Sequence, residues 1–471
     1  MGPKYEENGN EDREKPLIVK HDADETGHRE ELVMVYLSTA VAVCGSYAFG
    51  TCVGYSSPTQ FSIMDELNLS YSQYSVFGSI LTIGAMLGAI TAGRIADLLG
   101  RKGAMRLSSV ICSAGWLAIY LAKEPMVLYL GRFLSGYSIG IISYVVPMFV
   151  GEISPNKLRG ALSSTNQLSI VIGLSAVYVI GAFVGWRILA LLGVVPCGLL
   201  FLGLFFIPES PRWLAMNGEE EEEFEAALRK LRGKHADISY ERSTIQEYLT
   251  ILQTLPKVTF LNLFDRSNYR AVIISVGLMA FQQFVGINGI VFYSTEIFKS
   301  AGFNPRLGTI LFGVLQVGVT AGGALLIDRT GRRPLLMMSA SGLLLGNLLI
   351  AFSFFFKAHS VAPTLVPNLA ILGVLVYIAF FSIGMGAGPW LIMSEVFPLH
   401  VKGLGGGLVT LMNWFGSWVI SYTFNFLMLW SSHGTFFLYA FVCLLAAIFI
   451  YQMVPETKGR RLEEIHASLN S

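Results

Sequence analysis

Asp97-Leu-Leu-Gly-Arg-Lys102 returns later in the chain as Asp328-Arg-Thr-Gly-Arg-Arg333. Two further pairs follow in the same order: Glu152-Ile-Ser-Pro-Asn-Lys-Leu-Arg-Gly160 with Glu395-Val-Phe-Pro-Leu-His-Val-Lys-Gly403, and Pro208-Glu-Ser210 with Pro455-Glu-Thr457. Ordered recurrence is the mark of an internal duplication. Working outward from these motifs, twelve apolar stretches long enough to cross a bilayer, about 20 residues each, are centred near residues 44, 84, 112, 138, 171, 196, 280, 317, 345, 379, 415 and 444. Six precede the stretch 208–267 and six follow it. The reading is an all-α membrane protein of twelve transmembrane helices in two six-helix repeats.

Composition agrees. Hydrophobic residues make up 53% and charged residues 14%, where a soluble domain carries about 25% charged, so a soluble multidomain enzyme is excluded. The 49 glycines suit helices that approach closely in lipid. A net charge of +1 provides no basic surface for nucleic acid. The five cysteines, Cys44, Cys52, Cys112, Cys197 and Cys443, all lie in apolar stretches and read as small core residues, with no metal or disulfide framework.

The first apolar stretch begins near Leu32, behind a polar leader, so a cleavable signal peptide is not expected. With both termini placed in the cytosol, 27 of the 33 Lys and Arg fall on cytosolic segments, 5 on the other side, and Arg132 inside a span. The positive-inside rule therefore sets both ends and the central loop in the cytosol. The expected divisions are a leader (1–30), a first half (31–207), a helical linker (208–267), a second half (268–454) and a tail (455–471). In the linker, Phe224, Ala227, Leu228 and Leu231 recur at helical spacing, and the acidic run Glu219–Glu223 reads as the solvated start of that helix.

Two parallel halves with a site between them near the midplane describe the major facilitator architecture. The duplicated charges, Asp97, Arg101, Glu152, Arg159 and Glu209 in one half and Asp328, Arg332, Arg333, Glu395 and Glu456 in the other, are expected to form a cytosolic gate that pairs on closing and separates on opening. Inside the spans the polar residues are neutral amides: Gln167, Gln282, Gln283, Asn288, Gln316 and Asn413. Amides both donate and accept, which suits a cargo of neutral hydroxyls rather than a carboxylate, phosphate or metal. Gly286-Ile-Asn-Gly289 and Gly384-Met-Gly-Ala-Gly-Pro-Trp390 are expected to break their spans, and Trp390 offers an aromatic face to a sugar ring.

Gly131-Arg132, Pro147-Met-Phe-Val-Gly-Glu-Ile-Ser-Pro155, Pro208-Glu-Ser-Pro-Arg-Trp213, Gln282-Gln-Phe-Val-Gly-Ile-Asn288, Gly388-Pro-Trp390 and Pro455-Glu-Thr-Lys-Gly459 together resemble the sugar porter family of the major facilitator superfamily. The resemblance runs from about residue 33 to Glu464. The stretch Phe49-Gly-Thr-Cys-Val-Gly-Tyr-Ser-Ser-Pro-Thr-Gln60 is similar to the plant early-responsive-to-dehydration six-like group. The resemblance implies a monosaccharide transporter, of glucose or another hexose, that works by alternating access without a cofactor. It assigns sugar contacts to Gln167, Gln282, Gln283, Asn288, Trp390 and Asn413, with Gln316 where relatives often have Asn and Ser382 where some facilitators carry Glu. Lys402 stands where the family usually has Arg, which weakens a bidentate latch at Glu395.

Proton-coupled relatives read Phe-Gly-Tyr-Asp in the first span, with the Asp opposite the Arg that matches Arg132. Here the stretch is Phe49-Gly50-Thr51-Cys52, and a buried thiol is a poor proton carrier near neutral pH. Facilitated diffusion is expected, with a proton-coupled symporter or antiporter as the alternative. A transporter-like sugar sensor would carry a longer tail, and an intramembrane enzyme would need paired catalytic groups that the spans lack. Asn68-Leu-Ser70 is the one interior glycosylation sequon, too near the membrane for efficient use. The group resemblance points to the vacuolar membrane, then the plasma membrane, and to a functional monomer.

Overall fold

The computed structural model describes residues 32–155, 158–217, 221–233, 236–254, 260–265, 268–398 and 401–458, while the side chains of 248, 251–254, 260 and 324–329 lie outside the description. The expected leader and most of the tail fall outside it too. The first half comprises α1 (Val33–Gly54), α2 (Ser56–Leu67), α3 (Tyr71–Leu121), α4 (Pro125–Ile153), α5 (Arg159–Gly181) and α6 (Trp186–Gly203). The linker carries α7 (Pro211–Asn217), α8 (Glu221–Arg232), α9 (Ser239–Thr254) and a 3-10 turn at Phe260–Phe264. The second half comprises α10 (Tyr269–Phe284), α11 (Ile287–Ala301), α12 (Pro305–Thr330), α13 (Arg332–Ala358), α14 (Val366–Phe380), a π-helical stretch Phe381–Met385, α15 (Gly388–Val396), α16 (Lys402–Trp430) and α17 (Ser432–Met453). Among the described residues, ten stretches are long and apolar enough to cross a membrane. One of them, α3, holds two spans, and α16 completes the expected twelve.

Helix α3 is two antiparallel helices joined at Gly100 (φ 76°, ψ 172°). One region of α4 reports the fold-back: a Cβ on Gly136 would meet the Leu81 carbonyl at 2.1 Å, while Ser138 bonds Ser108. The first limb and α4 approach through reciprocal small-residue pairs, Gly84 and Gly88 against Gly136 and Gly140. The second half repeats the joint at Gly331 (φ 91°, ψ 158°), between α12 and α13. Only glycine accepts this backbone cheaply.

Two spans break where expected. Gly286 (φ 99°) separates α10 from α11, and the π stretch with Gly386 and Ala387 separates α14 from α15. The linker helices pack on the first half: Trp213 Nε1 donates to the Asp97 carbonyl at 2.9 Å and Arg232 Nη1 to the Ile153 carbonyl at 2.9 Å. Phe224, Ala227, Leu228 and Leu231 are buried, as their spacing indicates.

The halves are tied together at the face opposite the linker. Ser57 Oγ meets Ser294 Oγ at 2.7 Å and accepts from the Thr295 amide at 3.0 Å. Asn425 Nδ2 donates to Ser75 Oγ at 2.9 Å, Ser175 Oγ to the Gly313 carbonyl at 3.0 Å, and Tyr178 Oη to the Val291 carbonyl.

Candidate functional site

The two breaks place their polar side chains against each other. Gln283 Nε2, from the last turn of α10, donates to Asn413 Oδ1 of α16 at 2.7 Å and to Gln282 Oε1 at 3.0 Å. Asn288 Nδ2, from the first turn of α11, donates to Gln283 Oε1 at 2.5 Å. Gln282 Nε2 crosses to the other break, donating to the Met385 carbonyl at 2.6 Å and the Gly386 carbonyl at 3.0 Å. Four of the residues read from sequence thus form one connected network, and buried amides are tolerated because they are paired.

Among the described residues, no hydrogen bond joins Gln316, Gln167 or Trp390 to this network. Gln316 on α12 is buried with Oε1 unpartnered, so an acceptor is ready for a hydroxyl. Gln167 on α5 is exposed and Trp390 on α15 is half-buried. Helices α5 and α12 meet at Ser175 and Gly313, and Gln167 and Gln316 both lie on the linker side of that contact. The assigned residues offer amide donors and acceptors and an indole, and no carboxylate is among them.

Arg132 is fully buried. Its Nη1 donates to the Cys52 carbonyl at 2.7 Å and its Nη2 to Ser56 Oγ at 2.8 Å, and the guanidinium lies over the Phe77 ring at 4.9 Å. Charge within a bilayer is costly. Here neutral dipoles and ring faces offset it, and no carboxylate pairs with it among the described residues. The position reasoned from sequence is refined: the Cys52 thiol turns toward Cys112 Sγ at 3.8 Å, so Cys52 serves Arg132 through its backbone. Ser56, which sequence reasoning passed over, is the side-chain partner.

Among the described residues, the ion pairs and caps formed by the duplicated charges lie within each half, in two separate clusters. Arg101 holds Glu152 with two bonds, Nε to Oε2 at 3.0 Å and Nη2 to Oε1 at 2.9 Å, with Asp97 at 3.6 Å. In the second half Arg332 Nη2 meets Glu395 Oε1 at 3.3 Å, and among the described residues no ion pair joins Lys402 to Glu395. The Asp328 side chain lies outside the described residues. Arg159 feels the charges of Arg212, Glu241 and Arg232, and among the described residues no ion pair joins it to the Arg101 cluster. Glu209 caps the helix after Gly100 by accepting from the Lys102 amide at 3.0 Å, and Glu456 caps α13 by accepting from the Arg332 and Arg333 amides, both at 3.1 Å. The glycines are required here a second time, since a Cβ on Gly100 or Gly331 would lie 2.6 or 2.9 Å from the capping carboxylate.

The two capping carboxyls are shifted in opposite directions. Burial pushes the Glu209 carboxyl above its ordinary range, with the Ser210 and Lys102 amides opposing. Burial also works against Glu456, but the amides of Lys458, Arg332, Arg333 and Thr457 outweigh it and hold that carboxyl low. Ser210 Oγ donates to Glu152 and Thr457 Oγ1 to Glu395, each at 2.5 Å. The sequence signal for this bond was the hydroxyl that follows the Glu in both Pro-Glu-Ser/Thr copies. The cross-half partners Ser57, Ser294, Thr295 and Asn425 carried no such signal.

Comparison with known proteins places this geometry. The family model "Sugar (and other) transporter" matches residues 32–469. "Sugar transporter ERD6-like 8" of Arabidopsis thaliana is 62% identical over 97% of both chains, and "Sugar transporter ERD6-like 7" of the same plant is 58% identical over 97% of this chain and 98% of its own. The xylose transporter XylE from E. coli, solved in an inward-open conformation, superposes with a TM-score of 0.77 at 27% identity, over 92% of this chain and 99% of that one. A structure described as the proton:xylose symporter XylE bound to 6-bromo-6-deoxy-D-glucose gives 0.74 at 27% identity, over 93% and 99%.

Proposed function

The chain belongs to the sugar transporter family of the major facilitator superfamily, and we propose that it carries a neutral hexose across its membrane by alternating access, without a proton. One observation carries the site reading: Gln282, Gln283, Asn288 and Asn413 form a continuous amide network across the two broken spans. Hydroxyls of the sugar exchange hydrogen bonds with that network and with the free Gln316 Oε1, while Trp390 covers the C–H face of the ring. In this state the halves are joined at the far face, so sugar enters and leaves on the linker side. Breaking the Ser57, Ser175 and Asn425 contacts lets the halves rock and opens the other side. Binding must favour neither face strongly, or release stalls.

Absence of coupling rests on Arg132, whose partners are a carbonyl, a hydroxyl and two rings. None of these takes up a proton near neutral pH. The solved symporters share 27% identity, too little to carry their coupling over. As a multi-pass membrane protein it sits, on this reading, in the vacuolar membrane as a monomer, with the linker and both termini cytosolic. The test is Gln283→Ala in a D-glucose counterflow assay with proteoliposomes. Loss of counterflow is expected, and near-normal counterflow would remove Gln283 from the site.

A further inference from the structure

Behind the amide network, the joint between α10 and α11 is enclosed by buried side chains from three other helices. The Val285 carbonyl, at the C-terminal end of α10, accepts from Tyr377 Oη of α14 at 3.2 Å and from Asn347 Nδ2 of α13 at 3.4 Å. Tyr439 of α17 lies against the turn, where a Cβ on Gly286 would stand 2.5 Å from its ring. All three side chains are buried, and the Tyr439 hydroxyl and Asn347 Oδ1 have no partner.

The bend is what lets the site assemble. In an unbroken helix at about 100° per residue, Gln283 and Asn288, five apart, would point about 140° away from each other. Across the Gly286 joint they share a 2.5 Å hydrogen bond. A bend leaves carbonyls at the end of the first helix without their helical donors, and inside a membrane such a group must find another partner. Tyr377 and Asn347 supply it.

We propose that Asn347, Tyr377 and Tyr439 are positioning residues for sugar binding: they hold the Val285–Gly286 joint in the bent form that aims Gln283 and Asn288 at one substrate. None of them is assigned to touch sugar. Tyr377 and Asn347 act through their bonds to the Val285 carbonyl, and Tyr439 acts through its ring. The proposal rests on the site reading given above.

Tyr377→Phe and Asn347→Leu, singly and together, are tested by D-glucose counterflow in proteoliposomes, alongside thermal unfolding without and with D-glucose. Loss of one hydrogen bond to the joint is expected to raise KM about three- to tenfold in each single variant, with a larger rise in the double variant. The limiting rate should change less, the sugar-free melting midpoint should hold in each single variant, where one donor to the Val285 carbonyl remains, and fall in the double variant, and the shift added by sugar should shrink. Tyr439→Phe, which removes only an unpartnered hydroxyl, should keep the parent KM. An unchanged KM in the double variant overturns the proposal, as does a KM that rises in the single variants only together with a fall in their sugar-free midpoint. Gln283→Ala run in parallel separates the two levels. If it retains counterflow the site reading fails, whereas if it loses counterflow while the double variant keeps its KM, only the positioning role fails.

Discussion

Replacing Arg101 by Met should destabilise the first half without opening a gate between the halves. The Arg101 side chain is 4% exposed and its partner Glu152 12%. Two bonds join them, Ser210 shares the carboxylate, and Arg101 Nη1 reaches the Ala96 carbonyl at 3.2 Å. Removing one partner of such a buried pair strands the other and costs about 3–5 kcal/mol. The equivalent Arg332–Glu395 pair has one 3.3 Å contact at 18% and 23% exposure, so Arg332→Met should cost about 1–2 kcal/mol, between the exposed and buried limits. Because each cluster is contained in its own half, the two losses should add. Unfolding free energies from SDS titration of the reconstituted protein read all three variants, and Arg101→Met combined with Glu152→Leu should recover most of the first loss. A larger loss at Arg332 than at Arg101 would refute the burial reasoning. A coupling energy above about 1 kcal/mol between Arg101 and Glu395 would refute the separation of the clusters.

Ser57→Ala removes the hydroxyl that meets Ser294, Thr295 and the Thr295 amide, a loss of about 1–3 kcal/mol from the far-face contact. Spin-label distances across that face should gain a longer population, and an unchanged distribution would remove Ser57 from the closure. The capping carboxylates should respond oppositely to neutralisation. Glu456, held low, stabilises above the ordinary carboxylate range and loses that contribution as pH falls through its folded value. Glu456→Gln should therefore lower the melting midpoint at pH 7 and flatten its fall in acid. Glu209, pushed up by burial, favours its protonated form on folding, so its contribution is full in acid and is lost as pH rises through its folded value. Glu209→Gln should leave the midpoint at pH 7 unchanged or raise it, and a fall as large as that of Glu456→Gln would contradict the difference.

The duplicated Asp-Gly-Arg, Glu-Pro-Lys/Arg and Pro-Glu-Ser/Thr motifs made the twofold plan legible, because a repeat in sequence is a repeat in space. The amides were legible for a different reason: a polar residue within an apolar span is conspicuous and needs a partner. Which groups pair was not. The Arg101–Glu152 and Glu209–Lys102 bonds depend on α3 folding back at Gly100, and nothing in the motif distinguishes a pair within a half from one across halves. Ser57, Ser294 and Asn347 stayed hidden because Ser and Asn are common helix–helix contacts in lipid. Their importance comes from being opposite one another, which a single sequence does not display.

Uncoupled transport is tested most directly by D-glucose uptake into proteoliposomes with and without an imposed inward proton gradient. With a carbonyl, a hydroxyl and ring faces as the contacts of Arg132 among the described residues, internal sugar should rise to the external concentration and stop there under both conditions. Accumulation above the external concentration that collapses with a protonophore would contradict it.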